Sequence, residues 1–70
     1  MAGEVKSASE ATKIAKDYVG KYRYFTRPLK AVRQNDTWYV DLDVGAFVTV
    51  VAKVKIDAKS GEVIEYDIPE

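Results

Sequence analysis

The stretch Thr37-Trp38-Tyr39-Val40-Asp41-Leu42-Asp43-Val44 alternates apolar and polar residues without a break. In an extended chain Trp38, Val40, Leu42 and Val44 share one face, and Thr37, Tyr39, Asp41 and Asp43 the other. That is the pattern of a strand with one dry side and one wet side. Residues 47–56 repeat it, with Val48, Val50, Ala52, Val54 and Ile56 opposite Thr49, Val51, Lys53 and Lys55. Register follows from parity, because a slip of one residue turns every side chain to the wrong face. A two-residue Gly45-Ala46 turn would put Val48, Val50 and Val54 on the face of Asp41 and Asp43. A three-residue loop, Gly45-Ala46-Phe47, pairs Val44 with Val48, Leu42 with Val50 and Val40 with Ala52. The sequence therefore predicts an odd loop length or a bulge there, with Phe47 near the hairpin tip.

Working outward, Asp57-Ala58-Lys59-Ser60-Gly61 is a turn signal, and residues 62–68 form a last strand ended by Pro69. The same parity sets Ile64, Tyr66 and Ile68 beside Val54, Ala52 and Val50. Val63 is left over and marks a possible bulge near Gly61. On the wet face this register puts Asp41 diagonal to Lys53 and Lys53 opposite Glu65. Upstream, Asn35-Asp36 is a turn and residues 29–34 a weak strand, with Pro28 before it blocking any continuation of the helix. Before it, Ser7-Ala8-Ser9-Glu10 reads as a capping box, with Glu10 reaching back to the Ser7 N–H. Ala11, Ile14, Ala15, Tyr18, Val19 and Tyr22 then fall on one helical face. A helix over about residues 8–22 follows, with Gly20 either stopping it or tolerated inside it. Residues 1–6 carry no pattern and read as a loose lead-in. The fold class is α+β: one N-terminal helix packed on a four-stranded antiparallel β-meander, α-β-β-β-β, in a single domain over 1–70 with its ordered core at about 7–68.

Composition sets limits on function. The chain has 70 residues, with 11 Lys+Arg against 11 Asp+Glu, and neither His nor Cys. Zinc fingers, disulfide frameworks, a His base and a Cys nucleophile are excluded. No apolar run approaches a membrane span, and Met1-Ala2-Gly3-Glu4 lacks the apolar segment of a signal peptide, so a cytoplasmic location is the expectation. Only one Gln, one Asn and one Met occur amid plentiful charge, a profile that suits a hot habitat. Asp41 and Asp43, about 7 Å apart on one strand face, have the spacing of an acid/base pair or a metal site. They equally suit a solvated face beside Lys53, and with no spare loop to build a cleft the second reading is adopted. Asp57 reads as an Asx turn rather than a calcium ligand. Trp38, in phase with Val40 and Leu42, is assigned to the core. No enzymatic role, cofactor or metal is expected.

Charge is unevenly spread. Residues 1–34 hold eight basic residues and three acidic, and residues 35–70 the reverse. Within the basic half, Lys21-Tyr22-Arg23-Tyr24-Phe25-Thr26-Arg27 interleaves cations with aromatics, the composition of a surface that stacks on single-stranded nucleic acid. Arg23, Tyr24, Arg27 and Arg33 are the candidate residues for that role. The alternative is that Tyr22 and Phe25 are core and the cations solvate the helix end.

The helix with Ala11-x-x-x-Ala15, the strand Trp38-Tyr39-Val40-Asp41-Leu42 and the hairpin Val54-x-Ile56-Asp57-x-x-Ser60-Gly61-Glu62-Val63 together resemble PepSY domains over about residues 8–68. That resemblance implies a helix on a curved antiparallel sheet, similar to the cystatin-like fold. It also implies a non-enzymatic protein-binding or accessory module that binds or restrains a protease or other protein partner. On this reading Gly45, Ala46 and Phe47 at the hairpin tip are the candidate protein-binding residues. The chain is then a monomer or a weak homodimer through a sheet edge.

Overall fold

The structure, a computed structural model, describes residues 4–23 and 25–68. The chain runs as helix α1 (Ala8–Val19) and strands β1 (Arg27–Gln34), β2 (Thr37–Asp43), β3 (Val51–Asp57) and β4 (Val63–Asp67). The strands form one antiparallel sheet in the order β1-β2-β3-β4, as the alternation predicts. No helix among the described residues is long and apolar enough to cross a membrane.

Helix α1 starts where its capping residues place it. The Ser7 hydroxyl accepts the Glu10 N–H at 3.2 Å. Glu10 reaches back one residue further than expected, its Oε1 accepting the Lys6 N–H at 3.3 Å. The helix stops at Val19, short of Tyr22, with Gly20 as its cap. Ala11, Ala15 and Val19 are fully buried against the sheet, and the lid lies chiefly over β1 and β2. Tyr22 is exposed rather than core, yet it stacks on Tyr66 at 6.3 Å, and Tyr18 meets both rings edge-on.

Register differs from expectation in two places, and parity survives the first. Leu42 lies opposite Ala52, Val40 opposite Val54 and Trp38 opposite Ile56. The β2–β3 pairing has thus moved two residues from the expected one. The Val44 N–H donates to the Val50 carbonyl at 2.8 Å, which leaves the five-residue loop 45–49. Odd loop length is right, but three residues is wrong, and Val48 is 70% exposed rather than buried. At β3–β4 the register shifts between Lys55 and Ile56. Val63 takes the place opposite Ile56, and Ile64, expected inside, is exposed. Consequently Asp41 sits directly opposite Lys53, while Lys53 faces Asp67 and not Glu65. A third irregularity, between Pro28 and Lys30, bulges Leu29 out of β1.

Residues 4–6 are no loose lead-in. Val5 is 2% exposed. Its N–H donates to the Ala58 carbonyl at 2.6 Å, and its carbonyl accepts the Trp38 indole N–H at 2.9 Å. Trp38 is core, as read, and it needs this partner because a buried indole N–H without one is costly. The Ala58 N–H donates to the Asp36 carbonyl at 2.8 Å, which ties the β1–β2 turn to the β3–β4 turn at the same pole. At the other end of the core the Tyr66 hydroxyl is buried and has no hydrogen-bond partner among the described residues.

Two substitutions test these placements in urea melts. Val5→Ala should cost about 2 kcal/mol, from lost methyl burial plus a residual cavity, whereas a frayed end would cost under ~0.5 kcal/mol. Tyr66→Phe should hold or raise stability by up to ~1 kcal/mol, because it removes a buried hydroxyl that bonds nothing. A loss of that size would show that the hydroxyl is satisfied in solution.

Candidate functional site

The loop 45–49 between β2 and β3 combines a fixed neck with an apolar tip. Asp43 builds the neck. Its alternation phase assigns it to the solvated face, but it is only 4% exposed. Its Oδ1 accepts the Gly45 N–H at 3.0 Å and the Val50 N–H at 3.2 Å. Its Oδ2 accepts from the Arg27 guanidinium at 3.2 Å. One carboxylate therefore holds both ends of the loop and the first residue of β1. The Gly45 N–H holds its pKa below the ordinary carboxylate value, burial opposes that shift, and the Val50 N–H and Arg27 add to it.

Gly45 is required by space. A Cβ there would come 1.8 Å from the Val48 carbonyl oxygen, so the chain folds back on itself at a distance only glycine permits. Beyond this neck the side chains point outward. Ala46 is exposed, Phe47 is 100% exposed and Val48 70%. Phe25, itself 39% exposed, and Arg27 complete a shallow depression of about 220 Å³ against the loop. Gly45, Ala46 and Phe47, the residues singled out from the sequence, are thus together, and Val48 joins them.

Of the candidate nucleic-acid residues, Arg27 and Arg33 are held apart. Arg23 follows the helix, and Tyr24 lies outside the described residues. Arg27 lies opposite Asp43 at one end of β1, and Arg33 opposite Trp38 at the other, on the alternate face. Arg27 and Arg33 are also committed within the chain. Arg27 bonds Asp43, while the Arg33 Nε donates to the Asn35 carbonyl at 2.9 Å and its head pairs with Asp36 at 3.7 Å.

Asp57 makes the expected Asx turn, accepting the Lys59 N–H at 2.9 Å. Among the described residues no cluster of three acidic side chains can hold a metal ion. The sequence reading missed Asp43 as a brace. The signal was present, because an Asp at a turn that can accept the N–H two residues on is the Asx pattern read at Asp57. Comparison of the chain with protein-family models, with curated proteins and with solved structures gives no match.

The brace has a pH signature. A carboxylate whose pKa is lower folded than unfolded stabilises the fold above its unfolded value and loses that contribution as pH falls through the folded value. Stability should therefore decline as pH drops below about 3.8, and Asp43→Asn should lose stability at neutral pH and flatten that decline. Denaturant midpoints of the two proteins across acid pH check this. Parallel curves would show that Asp43 contributes nothing there.

Proposed function

We propose that this chain is a small, non-enzymatic protein-binding module that engages a partner through loop 45–49, with Phe47 as the anchor. One observation supports this above all. An aromatic ring stands wholly in solvent on a loop whose neck is pinned by a buried carboxylate. Rings held out by rigid backbone are efficient anchors, since little conformational freedom is lost on docking. Val48 and Phe25 flank the ring and make the patch apolar, so the fitting partner offers an apolar pocket with room for a phenyl group. The PepSY resemblance supplies a partner class, a protease that the module binds or restrains.

Phe47 buries nothing within the chain, so Phe47→Ala should leave the melting midpoint within ~0.5 kcal/mol of the parent. The same substitution should weaken capture of partners from an extract about 30-fold, the loss expected of one aromatic anchor. Phe47→Leu should keep part of the binding. Capture unchanged by Phe47→Ala would refute the assignment. Peptidases among the captured proteins would support the protease reading, and their absence from a loop-dependent set would remove it while keeping the loop.

A further inference from the structure

The outer face of the sheet, away from the helix, carries a row of charge that crosses all four strands. Lys30 on β1 lies opposite Asp41 on β2, Asp41 opposite Lys53 on β3, and Lys53 opposite Asp67 on β4. The signs alternate at every step. The row begins with a cation on one free edge and ends with a carboxylate on the other. Both end residues are exposed. Neither makes an ion pair among the described residues, whereas the neighbouring Lys55 bonds Glu65 at 3.0 Å.

We infer that the partner for these edges is a second copy of the chain, joined head to tail, with β4 of one copy beside β1 of the next. Three features point there. Opposite charges on facing strands attract and like charges repel. A pairing of β4 with β4 brings together the outer-face carboxylates of Glu65 and Asp67, and a pairing of β1 with β1 offers Lys30 no carboxylate, so the row favours neither symmetric dimer. Strand direction agrees, because in an antiparallel meander of four strands β4 runs opposite to β1 and the next copy continues the antiparallel order. Setting Asp67 opposite Lys30 of the next copy also sets Glu65 opposite Val32 and Tyr66 opposite Ala31. Outer residues then meet outer residues and inner meet inner.

Four strand spacings set successive copies of the lid about 19 Å apart. Pro28 and the bulge at Leu29 confine pairing on β1 to its second half, residues 30–34. Five residues on each side make a small interface, so association is weak and concentration-dependent. It uses no residue of loop 45–49, so it stands or falls separately from the Phe47 reading.

Sedimentation of the full chain at low and high salt, with two charge reversals, tests the inference. At millimolar concentration and low salt the average mass should exceed one chain, and it should fall toward one chain as added salt screens the edges. Lys30→Glu and Asp67→Lys should each weaken association about tenfold. Mixed one to one, they should associate more than either alone, because Asp67 of the first variant meets Lys30 of the second and the two reversed charges are again opposite at the other contact. Thermal melts confirm that each variant is folded. A parent that stays a single chain at low salt would overturn the inference. So would undiminished association of Asp67→Lys alone, which marks a β1–β1 dimer, or of Lys30→Glu alone, which marks a β4–β4 dimer. Association abolished by Phe47→Ala would place the contact at the loop and overturn it too.

Discussion

The contact between the alanine stripe of α1 and the strands beneath it governs everything else in this molecule. One helix has to dry one face of four strands. Ala11 and Ala15, fully buried, let its axis come close enough for Val19, Ile14 and Tyr18 to fill the remaining space over Val40, Leu42, Val54 and Ile56. A domain of this size buries only ~60% of the surface its unfolded chain exposes, so no second layer is available. The rest of the structure supplements that lid. Val5 and Ala58 close the pole at Trp38, and the tyrosines at 18, 22 and 66 close the edge at β4.

What the residues disclosed beforehand, and what they withheld, follows from the same physics. Alternation is a strong signal because each strand has one dry face, so element order and the inner residues of β2 and β3 were legible. Absolute register was not. Moving β2–β3 by two residues preserves every face, and alternation alone cannot distinguish the two settings. The choice belongs to Asp43, which captures the N–H groups of Gly45 and Val50 and so fixes a five-residue loop. Val5 was invisible because a single apolar residue has no period. It is buried through its bonds to Ala58 and Trp38, both distant in sequence. Ile64 was misplaced because a bulge, unlike a slip, changes the phase of one strand locally. At the candidate site, the exposure of Phe47 was legible and its bracing was not.

The brace also separates two roles for the same loop. A hairpin that bent freely would lose much of its binding energy in ordering itself. Here the ordering is done on folding, by a carboxylate with three donors. Asp43 is thus a positioning residue for Phe47. It spends its charge inside the molecule, and Arg27 spends its own on Asp43. This is why the basic segment at 21–27 offers fewer free cations to a ligand than its composition suggests.

The uneven charge of the chain takes on a spatial meaning in this topology. A meander keeps strands in sequence order, so a difference between the first and second halves of the chain becomes a difference between the two sides of the sheet. In a fold with crossovers the same residues would be interleaved and the asymmetry would cancel. Here β1 retains the cations and β4 the carboxylates, while between them Asp41 and Lys53 neutralise each other's neighbours. A chain with no net charge therefore carries a lateral dipole in the plane of its sheet. Such a field weakens with salt and acts most strongly on an edge of opposite sign. The two free edges, β1 and β4, are where that field ends, so each is set to attract the other.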